Sequence, residues 1–276
     1  MKKILIKFLP LLLIIFSLIG AKPLECDPLS TKSFWALDSD SKKDLPDRYR
    51  DEKTLNISGS AQFTKDQIPS LKEKIDKSNI CIIDLRQESH GLINDLAISY
   101  HNIYETPNNG LSTSEVLKKE KKDLSKIKEN SKENIYHKTG RLYKTIDVNY
   151  VSTEEAAVIE SGMQYKRFAV VDNGIPTPSV VDDFVEFILN KPDDLHLHFH
   201  CDAGEGRTTT FMALYQIMNS SNLSLEQILS YQYNIGGIIL TDNKVRLEFL
   251  EEFYNYVSKN KNSNYEIKYS QWLCDY

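Results

Sequence analysis

Residues 195–217 read LHLHFHCDAGEGRTTTFMALYQI, and the stretch divides into a strand, a tight glycine-bearing loop and a helix. Leu195, Leu197 and Phe199 alternate with His196, His198 and His200, the period-two pattern of a strand. Phe211, Met212, Leu214, Tyr215 and Met218 then recur at helical spacing. Between the two lies Cys201, with Gly204 and Gly206 in the turn and Arg207 at the sixth position after the cysteine.

A glycine-rich turn before a helix curls successive backbone N–H groups into a concave anion site, and the helix points its positive end into it. The amides of Asp202, Ala203, Gly204, Glu205 and Gly206 are therefore candidates to hold a phosphoryl group, and Arg207 adds a planar two-pronged grip on its oxygens. The same positive field favours the thiolate of Cys201, placed for in-line attack on phosphorus. Thr208 can donate its hydroxyl to the sulfur and so make it a better leaving group. His200 would order the loop and support the thiolate. A cysteine followed by an arginine at this spacing is weak evidence alone. The preceding histidine, the glycine at the third position and the strand–loop–helix context make it specific. The bland reading is a buried cysteine at a strand end beside an ordinary turn.

HCDAGEGRTTT (200–210) resembles the active-site loop of the protein-tyrosine-phosphatase superfamily. More narrowly, it is similar to that of the cysteine phytases, the PTP-like myo-inositol phosphatases. NISGSAQFTKDQI (56–68), IIDLRQESHGLIN (82–94), VDNGIPTPSVVDDF (171–184), YNIGG (233–237) and EFYNYV (252–257) extend the resemblance over residues 45–273. It implies an α/β fold, a protein-tyrosine-phosphatase-like central sheet flanked by helices, with a small β-barrel-like subdomain built largely from residues 97–150. The expected phosphatase domain is 46–273, preceded by an extension, 22–45, and residues 22–55 are expected to have little regular structure.

The resemblance also distributes roles. VDNGIPTP stands where this superfamily keeps a mobile loop with its general acid, so Asp172, 29 residues before Cys201, is expected to protonate the leaving oxygen and later to activate water. A turn-forming role before Asn173-Gly174 is the plain alternative. Arg86 is implied as a substrate-phosphate contact, with Asp84 and Glu88 ordering its loop. Arg246, and after it Lys244, are implied as contacts to outer phosphates. His137, Lys138 and Lys144 could reach the substrate, although a surface role is the simpler one. Glu205 departs from the family by placing an acid inside the loop. No metal or other cofactor is expected, because arginine, amides and the helix end supply the positive field. The alternate histidines of HLHFH can be read as zinc ligands, a reading that the loop chemistry displaces.

Composition narrows the context. Of 276 residues, 41% are hydrophobic and 26% charged, enough for a full globular core. Lys2, Lys3 and Lys7 precede or open the apolar run 8–19, and Ala21 can end a leader peptide, so residues 1–21 are expected to direct export. The segment would be a membrane anchor only if retained. Removing it takes three of the 34 basic residues, leaving 31 against 39 acidic, or −8. That balance excludes a nucleic-acid binder, and a polyanionic substrate must be drawn by a local patch. Cys26 and Cys274 could pair in an exported protein, leaving Cys201 free. Together these readings describe a secreted, periplasmic or cell-surface phosphatase acting on myo-inositol phosphates. The rival readings are a protein-tyrosine or dual-specificity phosphatase, and a phosphate-binding module without turnover.

Overall fold

The computed structural model describes residues 33–102, 108–220 and 222–274. The leader at 1–21 and the pairing of Cys26 lie outside the described residues. Elements follow in the order β1 (Phe34–Ser39), β2 (Arg50–Glu52), β3 (Ile57–Ser60), α1 (Ile68–Ile75), β4 (Ile80–Arg86), β5 (His90–Ile93) and β6 (Leu96–His101). Next come α2 (Thr113–Leu124), β7 (Lys132–Tyr136), β8 (Leu142–Asp147), β9 (Val151–Ser152), α3 (Glu154–Glu160) and β10 (Gln164–Val170). The last are α4 (Pro178–Asn190), β11 (His196–His200), α5 (Gly206–Asn219), α6 (Leu225–Asn234), α7 (Lys244–Asn260) and α8 (Tyr269–Trp272).

Five strands in the order β10-β4-β11-β3-β2 make the central sheet. It is parallel from β10 to β3, with β2 antiparallel at one edge. Both faces are covered, so β11 is buried at every position, histidines included. Leu197 and Phe199 face a large core built with α4, α5, α6, α7 and α8. Ile80 and Ile82 of β4 face a second core with α1 and α3. Helix α5 is buried from Arg207 to Met218, as befits the helix behind the central strands. Its start matters most: Glu205 gives no side-chain cap, which leaves the first amides of the helix to the loop that precedes it.

The second sheet has the order β8-β7-β1-β6-β5-β9, packed over its own core of Trp35, Ile93, Ile98, Leu124, Ile135 and Ile146. Here the expected boundaries change. The extension 22–45 is not irregular in its described part, because β1 pairs antiparallel with β6 and touches β7 in parallel. It lies in the middle of the small sheet. The subdomain accordingly begins well before residue 97, taking β1 and β5 as well. Helix α4 also starts earlier than its apolar periodicity suggests. Thr177 accepts a hydrogen bond from the Val180 amide and Pro178 occupies the first helical position. Among the described residues no helix is long and apolar enough to cross a membrane.

Candidate active site

Cys201 stands where β11 ends, almost wholly enclosed, and the Thr208 hydroxyl donates to its sulfur at 3.1 Å. The loop above it rests on the end of β3. Gly204 has φ +70°, and a Cβ there would stand 2.4 Å from the Ala61 nitrogen and 2.5 Å from the Ser60 carbonyl carbon, so only glycine fits. The Gln62 amide donates to the Asp202 carbonyl at 2.9 Å, fixing the other side of the loop.

Three guanidinium groups lie within electrostatic reach of the Cys201 sulfur: Arg50, Arg207 and Arg246. Arg50, on β2, donates to the Gly204 carbonyl at 2.9 Å and to Thr209 Oγ1 at 3.2 Å. Burial lowers its pKa to about 10, and the thiolate works against that fall. Burial likewise lowers Arg246, with Cys201 and Asp172 opposing. Its guanidinium packs against the loop at Gly206, where a Cβ would meet Nη2 at 2.8 Å. Arg207 is held from behind: Nη1 and Nη2 donate to the two Glu88 carboxylate oxygens at 2.7 and 3.0 Å, and Nη1 also donates to the Val170 carbonyl. Although burial disfavours its charge, Glu88 above all, then Cys201 and Asp172, keep its pKa above the ordinary arginine value.

Asp172 meets this assembly from the loop after β10. Its Oδ1 lies 3.0 Å from Arg207 Nη2, while the side chain stays half exposed. Asn173, at φ +58°, turns the chain and donates to Asp172 Oδ2 at 3.1 Å. The structure thus brings Cys201, Arg207, Thr208 and Asp172 together.

Arg86 is placed differently from the expectation. It is 1% exposed and its donors go to Asp38 (3.0 Å), Glu88 (2.9 Å) and Gln62 (2.7 Å). It organises Glu88, which organises Arg207, and it does not face the loop as a free substrate cation. Two buried cations on one carboxylate explain why Glu88, despite burial that pushes it up, sits well below the usual carboxylate range. Lys244 is also displaced from its expected role: it projects into solvent at 87% exposure, with Glu248 3.5 Å away. Arg246 alone of that pair reaches the loop. His200 does not support the sulfur directly, because its ring turns to the other face of β11, with Nε2 2.7 Å from Glu154 Oε1 and the Phe63 ring alongside.

The rim carries the cations Arg48, which the sequence did not mark, and Lys138, which it marked only as able to reach the substrate. Arg48 pairs with Glu205 at 2.5 Å. Lys138, from the turn after β7, bonds Asp202 and lies 3.2 Å from Asp38. Both loop acids are therefore neutralised by partners from other elements, although burial and Asp38 push the Asp202 carboxyl up. Arg48 and Arg50 alternate in DRYR (47–50), and that spacing beside a strand was the available signal. Next to the loop, Arg48, Tyr233, Asn243 and Arg246 border an open depression of about 500 Å³. A larger cavity of about 700 Å³ lies behind the Asp172 loop, against Val170, Val171 and Ile175.

One buried cluster has the composition of a metal site: donor atoms of Asp84, Glu154 and His200 lie within 4.8 Å of one another. Its acids already have partners. Tyr165 donates to Asp84 at 2.5 Å, Arg167 Nε lies 3.2 Å away, and Gln62 donates to Glu154 at 2.6 Å. His90 fits between Asp84 and Glu154 at 3.3 Å from each. The donor set reads as a buried ion network with its charges matched inside the protein.

Comparison with known proteins agrees with this geometry. The PTP-like phytase family, described by the words inositol hexakisphosphate, matches residues 83–219. A PTP-like phytase from Bdellovibrio bacteriovorus superimposes with a TM-score of 0.78 at 31% identity, over 89% of this chain and 96% of that one. The PTP-like myo-inositol phosphatase from Mitsuokella multacida, solved in complex with myo-inositol-(1,3,4,5)-tetrakisphosphate, gives 0.82 at 29% identity, over 90% of this chain and 50% of that one. Effector protein hopD2 of Pseudomonas syringae pv. tomato is 26% identical over 250 residues, 79% of this chain and 51% of its own length. The chain thus spans about half the length of hopD2 and of the Mitsuokella protein.

Proposed function

The chain belongs to the PTP-like phytase family, and we propose that it is a cysteine-dependent phosphatase that removes phosphoryl groups from myo-inositol phosphates. The observation that carries the proposal is a sulfur hydrogen-bonded by Thr208 at the floor of the 202–206 loop, within reach of three guanidinium groups.

The Cys201 thiolate attacks phosphorus, forming the S–P bond as the bond to the inositol oxygen breaks. The Asp172 carboxyl gives its proton to that oxygen, and the alcohol leaves. Arg207 and the loop amides hold the equatorial oxygens, whose charge rises in the transition state. Water then attacks the cysteinyl-phosphate and gives its proton to Asp172, while the Thr208 hydroxyl stabilises the departing sulfur. Inorganic phosphate leaves and the thiolate is restored. The positive charge needed at phosphorus is provided by Arg207, Arg50, Arg246 and the amides, and no resident metal enters the scheme.

A multiply phosphorylated ring suits the rim. Arg48 and Lys138 are held by carboxylates of the loop itself, so outer phosphates compete with Glu205 and Asp202 for them. Export rests on the charged and then apolar pattern of residues 1–21.

The test is phosphate release by the reduced protein in the presence of a chelator, with inositol hexakisphosphate, lower inositol phosphates and a phosphotyrosyl peptide side by side. Inositol phosphates are expected to react fastest, and Cys201→Ser to abolish release while leaving binding. Preference for the peptide would overturn the substrate, and unchanged turnover by Cys201→Ser would overturn the mechanism.

A further inference from the structure

Beneath the phosphate loop, on the face of the central sheet away from α5, a line of serine and histidine side chains joins β3 to β11. Ser58 and His198 are register partners, as are Ser60 and His200. Asn56 Oδ1 lies 3.2 Å from His196 Nδ1, and His196 Nε2 is 2.8 Å from Ser58 Oγ. Ser58 Oγ is 2.8 Å from His198 Nδ1, and His198 Nε2 is 2.9 Å from Ser60 Oγ. Ser60 Oγ then donates to the Ala61 carbonyl at 2.7 Å. The line ends at the Ala61–Gln62 peptide, whose N–H holds the Asp202 carbonyl, next to the Ser60–Ala61 peptide against which Gly204 rests.

The last bond fixes the direction of the bonds from Ala61 back to Ser58. A carbonyl only accepts, so the Ser60 hydrogen points at Ala61, and Ser60 must receive a hydrogen from His198 Nε2. His198 Nδ1 is then a lone pair, which takes the Ser58 hydrogen. The Asn56 oxygen at the far end only accepts and calls for a proton on His196 Nδ1, so the direction set at Ala61 ends at Ser58. The Ser58–His198–Ser60–Ala61 segment runs in one direction, and bonds in such a series polarise one another. We propose that this chain positions the phosphate loop, with His198, as its Nε2–H tautomer, holding Ser60 and Ala61 in the orientation against which Gly204 and Asp202 are set. The idea deepens the function proposed above and rests on it for the loop's task.

The surroundings favour that tautomer over the doubly protonated ring. Burial, then His200, His196 and Arg50, hold the His198 pKa well below the ordinary histidine value, with Glu154 alone opposing. The Tyr49 ring stacks on the imidazole, with centroids 6.1 Å apart and planes at 14°. Burial and Lys77 lower His196 to about 4, so both rings are neutral in the range where the loop must work.

Nitrogen–proton correlation spectra of the labelled whole protein read the tautomer directly and do not depend on turnover. The expected result is a proton on Nε2 of His198 that persists unchanged from pH 8 to pH 5. A proton on Nδ1, or titration near the ordinary histidine pKa, overturns the proposal. Ser60→Ala removes the final bond, and should weaken binding of inorganic phosphate about fivefold to tenfold, the effect of one well-placed hydrogen bond. On p-nitrophenyl phosphate kcat should fall by a similar factor with KM nearly unchanged, and Ser60→Thr should restore both. Equal phosphate affinity and kcat in Ser60→Ala overturn the positioning role. If Ser60→Ala does not fold, Ser58→Ala, which leaves the final bond in place but frees the His198 tautomer, is scored by the same two readouts. A wild-type protein that binds phosphate but leaves inositol phosphates intact would defeat the substrate assignment, while the tautomer and the phosphate affinities would still decide this inference.

Discussion

At the scale of single residues, the site is an arginine made rigid from behind. Glu88 takes both prongs of Arg207 and the Nε of Arg86, so the guanidinium proposed to hold the phosphoryl group is aimed by a buried carboxylate. Replacing Glu88 by Gln leaves two buried cations short of a partner, which should cost about 3–5 kcal/mol of stability. Urea melts would read this, with turnover falling even at low temperature where the variant is still folded. Asp172 predicts a different pattern. Asp172→Asn should lower kcat on inositol phosphates by roughly 10² to 10³, the usual worth of a general acid. The loss should be much smaller on p-nitrophenyl phosphate, whose leaving group needs no proton. Equal losses on both substrates would remove Asp172 from that role. Cys201, Arg207 and Thr208 were legible in the sequence because their chemistry is local: the loop and helix start that use them are continuous with them. Arg86 was not, since its partner Asp38 lies 48 positions away and no short-range pattern tells a buried, paired arginine from a waiting one. Arg50 was missed for the same reason, with its contacts on Gly204 and Thr209 more than 150 positions downstream.

At the scale of elements, legibility followed whether a segment's signal is in its own pattern. Strand β11 and helix α5 announce themselves by period. Strand β1, FWALDS, has Ala36 and Leu37 side by side and no alternation strong enough to declare it. Its status as a strand comes from β6, some sixty residues later. The same strand delivers Asp38 to Arg86. A chain beginning at residue 46 therefore loses the middle of the small sheet and one of the two carboxylates on Arg86. We expect such a truncated protein to release phosphate at less than a tenth of the rate of the full chain, with its unfolding midpoint lowered. Full activity from it would mean that β1 is a passive cover.

For the molecule as a whole, the two sheets meet across buried charge. Asp84, Glu88 and Glu154 all sit below their ordinary values, since the arginines and histidines around them outweigh burial. The stability they contribute is present above the unfolded carboxylate pKa of about 4 and is lost as pH falls through their depressed folded values. His196, lowered to about 4, adds to the same slope from about pH 6.5 downward, because the unfolded chain binds a proton there that the folded one refuses. His90, whose raised pKa reflects Asp84 and Glu120 prevailing over burial, Arg86 and Arg167, contributes the opposite way, losing its share as pH rises above about 6.5. The expected stability curve is a maximum near neutrality with a steep fall below about pH 4.5, measured by thermal unfolding across pH. A protein as stable at pH 3 as at pH 7 would mean that these carboxylates are not ionised in the fold.

The strand orders have a consequence for how the chain is made. In the central sheet β11, the strand that carries the catalytic loop, inserts between β3 and β4, and it is the last of the five to be synthesised. Until residue 200 has emerged, β3 and the isoleucine-rich β4 each present an open edge, the kind of surface that invites pairing with another chain. In the small sheet the delay is reversed: β1 is made first and must wait for β6 and then β7 to flank it. The ribosome therefore releases a protein whose two sheets both close by late, long-range pairing, and its nascent form is the one most in need of a chaperone.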